Sequence, residues 1–490
     1  SRLPSAERQL AAPPYTIMWL LNELRSRSWS LNLLSGIGLP HPTAAAVAPL
    51  MPAAARLLGQ PSYLRPFLVA SLLYQGWELY IRVRRKRRLA ATGIPDAVKE
   101  AMPDVDETEY AKAQEYSAAK NGFGFVADAY GVLTGLVSLY LQPMVWNGPA
   151  LRLALHLGLT PEHEIARAGL GMLICAPWEL LHNLPIDAYR TFVIEERFGF
   201  NKHTWRSWVG DTLKHFLVEG MLINAIMTVP LVLLVRSLGA SAWFYGFVFL
   251  TSFALLFNMA YPVWIAPLFN TFTPLEDGEV RSAIEALVRA SGISCERIFQ
   301  VDGSRQSSHS NAYVAGFFRT KRIVIYDTLL GHLESDVDAI CAVVAHEIGH
   351  AAMHHNYALL GVLAAQMFVM FSTFGFCTDP RIVTDFGFDA PCAYLTLQTF
   401  FTLYGVVMPA FSIGLNAFTR QLEYSADAYS VRLGFDIRAA LVKISKTNLS
   451  DLNPDPLDSL CNHSHPTTVQ RVLAVKDLLD HQPHKGAKGD

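Results

Sequence analysis

Residues 342–353 read A-V-V-A-H-E-I-G-H-A-A-M. The apolar lead-in Ala342, Val343, Val344, Ala345 predicts a helix, so His346 and His350, four residues apart, project from one face at a separation that a single metal ion can span. Glu347 stands beside the first of them. A carboxylate there can take a proton from water polarised by zinc, whose pKa falls from about 15.7 to about 7, and later pass it to a leaving amine. Five residues alone also fit a chance H-E-x-x-H on a structural helix. A catalytic zinc needs a third protein ligand and one open position, and the same helix does not supply the ligand. The position six beyond His350 is Asn356, Met353 stands where a chain-turning glycine would be needed, and His354 reads as a polar helix-end residue.

Outward from this stretch the chain becomes apolar. The 490 residues are 51% hydrophobic and only 17% charged, with a positive mean hydropathy, which puts a membrane ahead of a soluble enzyme as the expected setting. Windows of about twenty apolar residues, enough to cross a hydrocarbon core of about 30 Å, follow at 357–377 and 394–418 and precede at 65–83, 123–142, 168–184, 213–235 and 243–261. About seven spans result. The window 168–184 contains Glu179 and His182 and ends at Pro185, so its ionisable groups are expected to face protein or a cavity. The formal charge of -2 offers no broad basic field, and no nucleic-acid partner is expected. Six scattered cysteines contain no C-x-x-C pair, so neither a disulfide scaffold nor a thiolate zinc site is indicated, with Cys377 and Cys392 left as a local pair to test.

Arg82, Arg84, Arg85, Lys86, Arg87 and Arg88 close the first span, which the positive-inside rule places in the cytosol. Counting crossings from there puts 185–212, 262–356 and everything after residue 418 on that same side. The expected organisation is an N-terminal extension at 1–60, either a targeting segment, interfacial helices or a variable addition. Five spans follow at 61–262, with a cytosolic loop at 185–212. Then come a cytosolic segment with the H-E-x-x-H helix at 263–356, two spans at 357–418, a C-terminal segment at 419–480 and a flexible tail at 481–490. Within 273–345 the pattern is soluble α/β: a helix at 279–291, strands at 297–301 and 322–326, and a helix at 335–350 with acids near its start. Helices are expected again at 420–433, 436–449 and 467–479. The candidate third ligand is Glu423 in T-R-Q-L-E-Y-S-A-D-A-Y, just past the last span. Asp427 shares its helical face, where it can support a ligating histidine. By spacing alone, a solvated face with Arg420 paired to one of these acids is the better reading.

H-E-I-G-H, R-Q-L-E-Y-S-A-D at 420–427 and H-S-H-P-T-T-V-Q-R at 463–471 together resemble the integral-membrane zinc CAAX prenyl protease family, the type I CAAX endopeptidases that process farnesylated proteins and the yeast a-factor precursor. Longer stretches agree: Y-R-T-F-V-I-E-E-R-F-G-F-N-K at 189–202, I-A-P-L-F-N-T-F-T-P-L at 265–275, and V-D-G-S-R-Q-S-S-H-S-N-A-Y at 301–313 followed by G-F-F-R-T-K-R-I-V-I-Y-D-T-L-L. The resemblance runs from about residue 65 to residue 479. It implies an α-helical multi-pass membrane protein with about seven transmembrane helices around an intramembrane chamber, and a cytosolic gluzincin-like zinc metalloprotease domain containing a small β element. It further implies one Zn2+ held by His346, His350 and Glu423, Glu347 as base, Asp427 as supporting acid, His465 stabilising the oxyanion and Arg471 bracing the site. Asn311, with Ala312 and Tyr313, would belong to an edge segment that pairs with extended peptide. Glu115, Glu179 and His182 become candidates for the chamber wall.

The implied partners are prenylated C-a-a-X proteins or peptides and membrane lipid. The implied setting is the endoplasmic-reticulum membrane, with the nuclear inner membrane as a second location, for a monomer whose site faces the cytosol. Two other readings keep the same residues: a membrane quality-control protease with no prenyl requirement, and a non-catalytic membrane scaffold. The connection between residues 330 and 345 is shorter than in some relatives, and the N-terminal extension departs from the family pattern.

Overall fold

The computed structural model describes residues 62–160, 162–316 and 321–481. The N-terminal extension and the expected flexible tail beyond His481 lie outside the described residues. Helices form wherever an apolar window was expected. The first is α1, Leu64–Leu89, and the second α2, Glu107–Val145. At 1.5 Å per residue the 39-residue α2 is about 58 Å long, nearly twice the hydrocarbon thickness, so one part of it must stand outside the bilayer. Its first three turns carry the buried Tyr110, Ala113, Tyr116 and Ser117, and Asp106 caps it by accepting from the Glu109 N–H.

Next come α3 (Glu164–Leu181), α4 (Asn224–Leu238) and α5 (Ala242–Ala260). Gly239, at φ 54°, turns the chain so that α5 folds back on α4. The soluble insert carries α6 (Glu279–Ser291) and leads into α7 (Val337–Ala352), and then come α8 (His355–Ser372), α9 (Ala393–Gly405), α10 (Met408–Arg432), α11 (Arg438–Thr447) and α12 (Thr468–Asp480). Among the described residues three continuous helical runs are long and apolar enough to cross a membrane, 107–156, 205–268 and 355–378, and the run 205–268 contains the α4–α5 reversal. Leu72 and Leu73 on α1 are 62% and 70% exposed, which suits a lipid-facing surface.

Three expectations need correction. The window 394–418 is not one straight span: it breaks between Gly405 and Met408 into α9 and α10, inclined at 56°. Gly405 ends one helix and Pro409, with no N–H to donate, opens the next. The helix expected at 420–433 is therefore no separate cap, but the outer half of α10. The cysteine pair does not form, since Cys377 and Cys392 are free thiols.

The insert forms a four-stranded sheet of order β1-β2-β4-β3, from β1 (Phe272–Pro274), β2 (Cys295–Val301), β3 (Ala312–Ala315) and β4 (Lys321–Tyr326). β2 and β4 are the two strands expected from sequence and pair in parallel. β3 runs antiparallel to β4, Tyr313 opposite Val324, and stands at the sheet edge. Ile323 and Ile325 of the sheet bury against Ile340, Val344 and Ile348 of α7 and Ile284 of α6, so one apolar core seats the H-E-I-G-H helix on the sheet. Asp336 caps α7 by accepting from Ala339 N–H. On its other side α7 crosses α10, where the Ser430 hydroxyl donates to the Ala342 carbonyl at 3.2 Å.

Candidate metal centre

The crossing of α7 and α10 brings together residues 73 or more apart in the chain. His346 Nε2 lies 3.1 Å from His350 Nε2 and 3.5 Å from Glu423 Oε2, and His350 Nε2 lies 3.4 Å from Glu423 Oε1. Ligands on a tetrahedron with bonds of about 2.0–2.1 Å stand about 3.3 Å apart, so this donor set has the spacing of groups sharing one small cation. All three side chains are buried, Glu423 to 1% exposure and Asp427 likewise, which excludes the solvated-face alternative. Arg420 pairs with neither acid. Its guanidinium donates to the Ser459 and His463 carbonyls and holds the turn that carries His465.

Each candidate ligand has its own support. Burial opposes the charge on Glu423, but the His465, His350 and His346 imidazoles hold its carboxyl well below the usual range. His465 approaches Glu423 Oε2 through Nδ1 at 2.9 Å, leaving Nε2 on the far side of its ring. Asp427 Oδ1 lies 2.8 Å from His346 Nδ1, and Arg471 grips both Asp427 oxygens, at 2.8 and 2.6 Å. A guanidinium fork on a carboxylate fixes the plane of Asp427 and through it the ring of His346. Burial and Arg471 disfavour charge on His346, yet hydrogen bonds to Asp427 and Glu423 outweigh them and lift it to about 9. His350 is pushed well below its ordinary value, chiefly by burial, so its lone pair is available for a ligand bond.

Glu347 is different in kind. Its Oε2 is buried without a hydrogen-bond partner, and burial, with the nearby Glu423 and Asp427 carboxylates, raises its carboxyl to about 8. A buried carboxylate left unsatisfied beside a metal-ligand cluster suits proton transfer better than structural bonding. It faces a cavity of about 570 Å³ that His346, His350, Glu423, His465 and Arg471 also line. Asn311 and Ala312 line the same cavity from the edge strand, while Tyr313, one residue on, is buried in the sheet. The Asn311 side chain folds back to accept the Ala312 N–H at 2.8 Å.

One residue escaped the sequence reading. His355 follows a left-handed His354 (φ 60°) and places Nδ1 2.8 Å from His350 Nδ1, with Ser425 Oγ 3.2 Å from its Nε2. Burial lowers it to about 4, so it stays neutral and orients His350. Its only signal was a second histidine, beside His354, within five residues of the motif. Of the candidate chamber-wall residues, Glu115 pairs with Arg197 on the exposed surface, and His182 bonds its own helix at the Trp178 carbonyl and stacks on the Trp178 ring. The Glu179 side chain lies outside the described residues.

Both halves of the chain match known proteins. Residues 84–271 match the family model described as CAAX prenyl protease N-terminal, five membrane helices, and residues 274–479 match peptidase family M48. A CAAX prenyl protease 1 homolog of Arabidopsis thaliana is 37% identical, the alignment covering 79% of this chain and 92% of the relative. CAAX prenyl protease 1 of Saccharomyces cerevisiae is 32% identical over 83% of this chain and 93% of its own. The crystal structure of S. mikatae Ste24p superposes with a TM-score of 0.75 at 31% identity, covering 84% of this chain and 97% of that one. With the donor set of a metallopeptidase and relatives along nearly their whole length, the chain belongs to peptidase family M48, as a multi-pass membrane metalloprotease carrying the CAAX prenyl protease N-terminal helices.

Proposed function

We propose that this protein is a zinc endopeptidase that cleaves near the C-terminus of prenylated C-a-a-X proteins, as the names of its relatives suggest. The observation that carries the reading is a single cavity lined by two unlike surfaces. Tyr74 and Gln75 of α1 and Phe123 of α2 come from helices that enter the membrane, whereas Asn311 and Ala312 come from a sheet edge suited to an extended peptide, and Glu347 faces the space they share. A peptide with a lipid at its end needs both.

His346, His350 and Glu423 would hold the zinc, which when bound supplies Lewis-acid polarisation of a water and of the scissile carbonyl. Glu347 takes the proton from the attacking water and returns it to the leaving amine. His465, its Nδ1 held at Glu423, would stabilise the developing oxyanion. Asp427 and Arg471 keep His346 aligned. β3 offers its edge to the substrate backbone, with Asn311 at its start. The site belongs on the cytosolic side of an endoplasmic-reticulum membrane: Arg84 and Arg85, at the basic end of α1, reach Asp455, Asp451 and Asp458 of the C-terminal segment, so the site shares the side that the positive-inside rule assigns to α1. One chain carries the whole site, which suits a monomer.

The test is cleavage of a farnesylated C-a-a-X peptide against an unmodified peptide of equal sequence, before and after chelation and zinc return. Faster, chelator-reversible cleavage of the farnesylated peptide is expected. Equal rates on both would favour a quality-control protease, and no cleavage with zinc bound would favour a scaffold.

A further inference from the structure

Two stretches named above have no part in the metal centre: residues 189–202 and the run 301–310 leading to Asn311. In the fold they meet. Lys202 N–H donates to the Gln306 carbonyl at 3.4 Å and Ser308 N–H to the Phe200 carbonyl at 3.2 Å, with Asn201 bridged to Ser307, so the approach to β3 is laid along the loop after Glu195. Glu195 ends a π-helical turn, Arg190–Glu195, and its two oxygens accept the hydroxyl of Tyr116 on α2 at 2.8 and 2.9 Å. Glu195 Oε2 also lies 3.5 Å from His309 Nε2. The His309 ring stacks on Phe200 with centroids 4.1 Å apart, and Asn448 Oδ1 sits 3.3 Å from both His309 Nδ1 and the Ser310 N–H. Thr328 closes the ring by donating to the His309 carbonyl at 2.9 Å. Tyr116 is fully buried and His309 nearly so.

We propose that Glu195, held by Tyr116, is a positioning residue for substrate: through His309 it sets the edge of β3 against the membrane helices, so that an added peptide strand meets Glu347 in register. This rests on the reading of β3 as the peptide-binding edge. Apolar groups of the same volume would pack this junction at no loss of stability. A carboxylate that accepts from a membrane helix and faces the residue two before Asn311 instead fixes distance and direction between the two walls of the cavity. None of these groups touches the metal ligands, so their loss should act on substrate binding rather than on metal.

The experiment uses the full chain in lipid nanodiscs, with Glu195→Gln and the milder Tyr116→Phe, which deletes one hydroxyl. Farnesylated peptides are compared with copies N-methylated at single backbone positions around the scissile bond, each methyl removing one strand hydrogen bond. In the unsubstituted protein at least one N-methyl position should raise KM. If none does, the edge reading itself fails, whatever the variants do. Where one does, both variants should raise KM for the unmethylated peptide about tenfold, keep kcat within about twofold, keep one zinc per chain, and shrink the N-methyl penalty. An unchanged KM, or losses of kcat, zinc and thermal stability together with an intact N-methyl penalty, would overturn the proposal and leave the network a structural one.

Discussion

At Glu347 the carboxyl is raised to about 8, by burial first and then by neighbouring acids. Such a group holds and releases a proton near neutral pH, which a general base that must later act as an acid requires. Glu347→Gln leaves His346, His350 and Glu423 untouched, so cleavage should fall by about 10²–10⁴-fold while metal content stays at one ion per chain. Retained cleavage would end the assignment. His346 gives a second expectation. In protein stripped of metal its value of about 9 lies above the ordinary one, so its stabilising contribution is complete below about 6.5 and is lost as pH rises through 9. An entering zinc ion must displace that proton. Affinity should therefore climb with pH up to about 9, and calorimetric zinc titration near neutral pH, in buffers of differing ionisation enthalpy, should report about one proton released per ion.

Among the elements, the crossing of α7 and α10 decides whether Glu423 reaches His346 and His350. Gly349 lies inside this crossing: a Cβ there would stand 3.0 Å from Tyr429 Cβ and 3.2 Å from its ring. The Tyr429 Cβ is fixed to the backbone of α10 and cannot swing away, so Gly349→Ala should part the helices, destabilise by about 1–3 kcal/mol and weaken zinc. Melting temperature and chelator competition measure the two effects, and an unchanged zinc affinity would show that the crossing tolerates a wider spacing. The break at Gly405–Met408 belongs to the same scale. Hydropathy runs straight through it because Val406 and Val407 are apolar, whereas the bend depends on Gly405 and Pro409. Likewise β3 was expected only through resemblance, as the edge segment at 311–313, since four residues with Ala at both ends have little strand signal, while β2 and β4, with their Ile, Val and aromatic residues, were legible.

In the whole molecule, α1 is tied to the segment between α11 and α12. Arg85, with a side chain 16% exposed, lies 3.9 Å from Asp451 and 3.6 Å from Asp458, both acids buried, while Arg84 reaches Asp455 at 3.1 Å. A basic run read as an orientation signal is thus also a clasp between the first helix and the segment that carries His465. Removing one partner leaves buried charge uncompensated, so Arg85→Ala should cost about 3–5 kcal/mol. Thermal unfolding in nanodiscs would show it, and a loss no larger than that of the exposed Arg87→Ala would mean the clasp contributes nothing.

Sequence by itself determined that this is a multi-pass helical membrane protein with H-E-I-G-H on a helix, because those features are local: hydropathy over about twenty residues and a spacing of four within one helix. Glu423 and Asp427 could be singled out only through resemblance, since i and i+4 acids on a helix look alike whether solvated or buried. The tertiary structure decided the rest. It carried Glu423 to within 3.5 Å of His346 by crossing α10 over α7, turned Arg420 away from both acids, supplied His355 behind His350, and set the Glu195 network under the edge strand. Each of these joins residues on different helices, and no periodicity within a single helix records where another will cross it.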